Sequence, residues 1–479
     1  MGTATRWLFA DQLGQHFLDD DDQPVLFTVS RAALRRRWPH RAKAHLLVSA
    51  LRHRAAELGD RARLVEAETY ADALGSVPGP IEVVHPTSRE ALAFVEARGI
   101  TVLPPRGFIT DQPTFAAWAA GSRLRLEEFY RDARRRTGIL MDGGEPVGGR
   151  WNYDTENREP PPRDRADLGI AEPWWPEEDA IDDGVRADLD DWQIPTRGSD
   201  GPRRFAVTAA EAEAALEHFL QQRLPHFGAT EDAMMAGDTW MAHSLLSVPL
   251  NLGLLEPLEV VQRAAAADAP LAAREGFVRQ ILGWRDYIWH LYWHLGADYR
   301  SHNALDARTP LPEWFEALDA SSTEAACLSD VLGKVHDYGW AHHIERLMVL
   351  GSWALQRGYD PAALSDWFRD AFVDGYAWVM DPNVIGMSQY ADGGVVATKP
   401  YTSGGAYLKR MSNHCADCAY RPNLRTGPQA CPFTKGYWSF LHRNAEVLQH
   451  NHRMRQPLAS MRRLADLDEV VAQAAADAD

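Results

Sequence analysis

The sequence predicts a two-part protein: an N-terminal, doubly wound parallel α/β domain followed by a large all-α domain. Three observations carry this. Residues 1 to about 135 alternate short apolar runs with helical patterns, the rhythm of a parallel sheet. From about residue 206 onward only helical patterns follow. Between them lies a stretch rich in proline, glycine and acid, the composition of a connector. The expected division is 1–138, a linker over 139–205 and a helical domain over 206–479; 479 residues are too many for one ordinary core.

The expected strands are RWLFADQL (6–13), PVLFTVS (24–30), ARLVEAE (62–68) and IEVVHP (81–86). Helical stretches separate them, RAKAHLLVSALRHRAAELG (41–59) and SREALAFVEARG (88–99) among them. No G-x-G-x-x-G follows the first strand, so the dinucleotide fingerprint is absent. The connector carries Trp151, Trp174 and Trp175, poor choices for a solvated tether, so it should pack over the surface. TAAEAEAALEHFLQQRL (208–224) then opens on a Thr-x-x-Glu capping signal.

Hydrophobic residues at 45% and charged residues at 24% describe a folded globular chain. No apolar run reaches 18 residues, so no membrane span is expected. The N-terminus lacks a basic-then-apolar leader, which gives a cytoplasmic expectation and disfavours disulfides. A net charge of −17 argues against a protein that coats DNA generally. Yet residues 399–463 hold eleven Lys/Arg against two Asp/Glu, a local +9 on a body of −26. Such a face suits a polyanion, and a solvated surface has the same composition.

Three of the four cysteines stand as C-x2-C-x12-C, at Cys415, Cys418 and Cys431; Cys327 lies 88 residues before them. Structural zinc sites usually use two C-x2-4-C pairs, and only one is present. The Cys431-Pro432 step recurs in iron–sulfur loops, but the spacing matches neither common ferredoxin pattern. Spacing leaves zinc and an iron–sulfur cluster level. The second constellation is YGWAHHIERLMVLG (338–351). On a helix His342 and His343 share a face with Arg346, while Ile344, Leu347, Met348 and Gly351 pack inward. A titratable, cationic face fits proton transfer to a bound substrate; a pair of half-buried structural histidines is the plainer reading.

Together, GRWNYDTENREP (149–160), HSLLSVPLNLGLL (243–255), EGFVRQILGWRDYIWHLYW (275–293), YGWAHHIERLMVLG, NVIGMSQYADGGVVATKPY (383–401) and the cysteine pattern resemble the iron–sulfur bacterial cryptochromes and photolyases, the prokaryotic (6-4) photolyases. The resemblance runs over nearly the whole chain and is densest from 124 to 460. It implies the cryptochrome/photolyase fold, with an antenna domain, a linker and a helical FAD-binding domain. It implies a [4Fe-4S] cluster on Cys327, Cys415, Cys418 and Cys431, and 6,7-dimethyl-8-ribityllumazine as the antenna. FAD contacts carried over are His243, Ser244, Leu245, Leu246, Ser247, Gln280, Arg285, His343, Arg346, Asp374 and Asn383. Serines with backbone donors near a helix start suit a diphosphate. An Arg346–Asp374 pair against the ring favours an anionic reduced flavin.

The implied activity is light-driven repair of pyrimidine (6-4) photoproducts in UV-damaged DNA, by an electron from reduced FAD to a flipped lesion. His342 and His343 match the active-site pair, with His343 as proton donor. Tyr401 and Tyr407 resemble pocket tyrosines, Trp367 an electron-transfer step, and Lys399, Lys409 and Arg410 would face phosphate. A monomer is expected. The chain departs from the family's pattern in places. Trp367 is followed by Phe368 where some members have Tyr, Met380 and Asp381 stand where many place a carboxylate near flavin N5, and Asp319 stands eight residues before Cys327 where a Trp is frequent. No glutamate follows the second strand, where the antenna pocket often has them. The acidic balance and altered electron path fit an alternative: a blue-light sensory cryptochrome with both cofactors and little repair.

Overall fold

The computed structural model describes residues 4–476. Five strands form one sheet: β1 (Thr5–Leu8), β2 (Val25–Ser30), β3 (Ala62–Ala67), β4 (Ile81–Val84) and β5 (Thr101–Leu103). Their order is β3-β2-β1-β4-β5 and every pairing is parallel. Trp7 lies opposite Leu26 and Val83, and the three point to one face. There Leu74 and the Phe94–Val95 pair, from the Tyr70–Gly75 and Arg89–Glu96 helices, cover them. The alternate residues Leu8, Phe27 and Val84 point the other way, into the core shared with the Arg41–Leu58 helix. With both faces covered the strands read as apolar runs.

β1 is shorter than its apolar run suggests. The run continues to Leu13, but the chain turns after Leu8: the Gln12 N–H bonds Phe9 O, and the Gln12 amide donates to Val84 O and His85 O at 3.2 and 3.3 Å. Three-residue β5 has too little periodicity to be legible. The connector holds a helix, Ala180–Asp191, opened by a reciprocal Asp179/Asp182 box. Asp182 also binds His45 at 3.1 Å and Arg203 at 3.1 Å, tying the sheet-side helix to the connector. Trp151 lies under the Arg135 guanidinium at 4.7 Å, and Trp175 meets Trp240 edge-on at 5.0 Å, so the connector packs over the surface.

Thr208 caps the Ala209–His218 helix, accepting the Glu211 N–H at 3.2 Å. The reciprocal half differs from a capping box: Glu211 accepts from Val207 N–H at 2.8 Å and binds Arg203. Among the described residues no helix is long and apolar enough to cross a membrane.

Candidate active site

A cavity of about 570 Å³ opens in the helical part, within the usual range for small-molecule sites. His243, Ser244, Leu245, Ser247, Gln280, His342, His343, Arg346, Asp374, Asn383 and Tyr401 all line it. Leu246, Arg285, Tyr407 and Trp367 do not. Leu246 is buried. Arg285 is a packing residue: it donates to Gly107 O at 2.9 Å and Leu250 O at 3.2 Å, and lies over the Phe108 ring.

HSLLS forms a tight loop. Leu245 has φ 60°, a left-handed backbone that costs a non-glycine residue strain, and Ser244 Oγ accepts the Leu246 N–H at 3.3 Å. Ser247 donates to Asp374 Oδ2 at 2.8 Å. Asp374 also receives both Arg346 amino groups, at 2.8 and 3.0 Å. The Arg346 Nε donates to Ala341 O at 2.6 Å, and the guanidinium lies 4.2 Å over Phe372. A bidentate, half-buried pair held at both ends is a rigid dipole in the cavity wall.

Gly339 ends the Ala326–Tyr338 helix in a left-handed conformation, and His343 opens the next helical segment. Residues 345–351 run in wider π-type turns; Ile344, Met348 and Gly351 are buried as expected, Ile344 also touching the cavity, while Leu347 is half-buried and lines it. His342 is buried and stacks on His243 at 4.6 Å. His343 is open to the cavity, with 46% of its side chain exposed, and its Nε2 stands 3.4 Å from Asp232 Oδ1.

These surroundings drive the two imidazoles apart. Burial lowers the pKa of His342, and the nearby Glu345 carboxylate only partly offsets it. For His343, open to the cavity, the surrounding walls still disfavour the charge by desolvation, but the Asp232 hydrogen bond and the charges of Asp232 and Glu231 outweigh this and raise the pKa. Burial pushes Glu231 up to about 7, and it accepts from Gln280 at 2.5 Å. The surroundings thus favour the neutral form of one imidazole and the charged form of its neighbour, the separation that acid–base chemistry uses. Sequence reading missed Glu231, Asp232, Asp154, Arg158 and Arg279. All line the cavity from a loop, a short turn and a helix interior, where no motif or period marks them.

Asn383 donates to Val379 O at 2.8 Å and presents its other face to the cavity. Met380 lines the cavity, while Asp381 turns away to accept from Ser365 at 2.8 Å. Trp367 is buried behind Phe368, which lines the cavity; their rings meet edge-on at 5.0 Å. Lys399, Lys409 and Arg410 are exposed, and Tyr407 lies half-buried under the Arg410 guanidinium.

Cys327, Cys415, Cys418 and Cys431 are free thiols that line one second cavity with His414 and Tyr420. Burial, with the other cysteines adding, raises Cys327 well above the usual thiol range and Cys415 to about 11. Cys431 is raised as well, so these three thiols resist ionisation unless a cationic centre compensates them, and four sulfurs lining one cavity are a donor set that suits a metal or cluster.

Residues 6–205 match the family described as deoxyribodipyrimidine photo-lyase-related protein. The (6-4) photolyase of Agrobacterium fabrum is 40% identical over 456 residues, covering 89% of this chain and 88% of that one. A crystal structure of a bacterial class III photolyase from Agrobacterium tumefaciens superposes with TM-score 0.58 at 15% identity, over 99% of this chain and 97% of that one. A Synechocystis cryptochrome gives TM-score 0.50 at 13% identity over 85% and 88%. At such identities the two structures establish the shared fold.

Proposed function

The chain belongs to the photolyase family of deoxyribodipyrimidine photo-lyase-related proteins, and on that premise we propose that it repairs pyrimidine (6-4) photoproducts in DNA by light-driven electron transfer from reduced FAD. The observation that carries this reading is the geometry of His343, open to the cavity beside Asp232, next to the buried His342, in the cavity that also holds the Arg346–Asp374 pair. The cavity offers FAD polar partners: buried nitrogens of His243 and His342 lack hydrogen-bond partners, as sites awaiting a polar ligand do. When bound, FAD supplies the photoexcited electron that the lesion receives.

The chain's residues do the rest. Arg346 and Asp374 fix charge at the wall, and Asn383 and Met380 line it beside them. The Nε2 of His343 is engaged by Asp232, which leaves Nδ1–H as the proton delivered to the lesion's migrating oxygen. Tyr401 closes the pocket at one side. Lys399, Lys409 and Arg410 hold phosphates and so set the register of the duplex. The four cysteines would hold a [4Fe-4S] cluster, which fastens the C-terminal segment to the helix bearing Cys327.

An antenna reading rests on the C-terminal edge of the sheet. There Asp11 Oδ1 and the Tyr376 hydroxyl are buried without partners, and burial pushes Asp11 up to about 6. These two groups fit a small hydrogen-bonding chromophore such as 6,7-dimethyl-8-ribityllumazine. Residues 1–138 would form the antenna unit, 139–205 the linker and 206–479 the catalytic unit.

The electron-transfer step is tested by the fluorescence of the reduced, flavin-loaded protein. A duplex carrying one (6-4) lesion should quench it and an undamaged duplex should not; equal emission from the two would overturn the reading. Two further outcomes follow. Asp232→Asn removes the charge that raises the His343 pKa. Because the acid must carry its proton, repair is lost as pH rises through the His343 pKa, so the alkaline limb of the pH–rate profile should move to lower pH. Repair at pH 8 should fall roughly 10-fold or more; an unmoved limb would dissociate Asp232 from the proton donor. The double variant Lys409→Ala/Arg410→Ala should weaken lesion and undamaged duplexes alike and reduce the salt slope of binding by about 2. Filter binding across a salt series reads both.

A further inference from the structure

A second buried carboxylate serves the other imidazole. Glu345 is fully buried at the start of the π-type segment, with its Oε1 3.5 Å from His342 Nε2. The same oxygen receives the Lys334 ammonium at 2.6 Å. Lys334 projects from the Ala326–Tyr338 helix, the one that carries Cys327, and is itself buried; its Nζ also meets Asp330 Oδ2 at 2.9 Å and Met235 O at 3.3 Å. Each member of the His342–His343 pair therefore has its own acid, Asp232 for the exposed His343 and Glu345 for the buried His342.

A buried Lys–Glu pair is a poor device for stability. Taking both charges out of water costs several kcal/mol per ion, and an apolar pair of similar volume is often as stable. The pair must be explained by what it touches. Glu345 has one buried oxygen, Oε2, without a partner, and both nitrogens of His342 lack an aligned hydrogen bond. The groups facing His342 are Glu345 on its own turn, Lys334 from the neighbouring helix, His243 stacked on its ring, and His343, Asp232 and Arg346 around the cavity. Of these only Glu345 and Asp232 are anionic, and Asp232 is engaged by His343 and Arg158. Burial opposes the Glu345 charge, and the Lys334 ammonium keeps it ionised.

We propose that Glu345, clamped by Lys334, is a positioning residue that holds His342 with Nε2–H toward the carboxylate and leaves its Nδ1 lone pair as an acceptor beside the reacting groups. The two imidazoles then have complementary roles, His343 as donor and His342 as acceptor. This rests on the repair reading for its purpose and on the geometry alone for the tautomer.

The test uses flavin-loaded protein with ¹⁵N-labelled histidine, in the dark. The His342 signals are assigned by their loss in His342→Asn. In the parent, His342 should show a protonated Nε2 and an unprotonated Nδ1. In Glu345→Gln the carboxylate charge is gone while Lys334 keeps Asp330, so the ring should titrate at lower pH and its nitrogens should average toward a tautomer mixture. The double variant Lys334→Met/Glu345→Met removes both charges and keeps the volume; it should fold, lose the fixed tautomer and repair roughly 10-fold more slowly. Should Glu345→Gln not fold, the double variant gives the same nitrogen readout. Unchanged nitrogen shifts and titration, with only the unfolding temperature altered, would make the pair a structural bridge and overturn the proposal. Because the nitrogen readout needs no DNA, a parent protein that fails to repair lesions would sink the functional reading and leave this one to its own result.

Discussion

His343→Ala should reduce light-driven repair by roughly 10²- to 10⁴-fold, the usual contribution of a positioned general acid, with flavin content and lesion affinity within a few-fold of the parent. The ring makes one ion pair, to Asp232, and almost half of its side chain faces the cavity, so its removal strips a proton donor without emptying a core. The contrast is His342→Ala, which removes a fully buried ring stacked on His243 and should cost stability as well as rate. Single-turnover repair after a light flash, with flavin absorbance recorded on the same samples, separates the two. Repair by His343→Ala within 10-fold of the parent would remove this ring from the proton path.

The second large effect concerns the cysteines. Cys431 is buried and immediately precedes the Pro432–Arg443 helix, whose Phe433 packs against Trp353 at 5.4 Å. Cys327 sits near the start of the Ala326–Tyr338 helix. A group bound by both joins two segments far apart in sequence, and binding energy at such a site is folding energy. Cys431→Ala should therefore lose iron, open the region from about residue 405 onward to protease and lower the unfolding temperature by well over 10 °C, or leave no soluble protein. Cys418 is half-exposed, and its Sγ accepts the Tyr420 N–H at 3.5 Å, so Cys418→Ser should be milder. Limited proteolysis with iron quantification reads both. A Cys431→Ala protein with unchanged protease resistance would show that the thiols do not carry the fold.

The parts of this account legible in the sequence are those with local signals. Apolar runs located four of the five strands, and the capping threonine before Ala209 was visible. Where a run was read too literally, as at RWLFADQL, a glutamine bonded to two carbonyls of the neighbouring strand had ended the strand early. The four cysteines were conspicuous, but spacing left their ligand open, because Cys327 reaches the others through tertiary packing. The cavity histidines stood out as a pair. Their opposite pKa shifts did not, since these are set by burial and by Asp232, Glu231 and Glu345, which converge only in the fold. Lys334 is the plainest case: in sequence it is one lysine on an amphipathic helix, and in the structure it is a buried cation between two carboxylates.

The central claim is that one cavity unites a reduced flavin, a (6-4) lesion and an imidazole that donates a proton. Its most direct test is illumination of the reduced holoprotein with a duplex carrying a single (6-4) photoproduct, followed by chromatographic counting of the two restored pyrimidines. Restoration that needs light, requires reduced flavin and is lost in His343→Ala is the predicted result. A protein loaded with FAD that binds the lesion and restores no bases under light would contradict it.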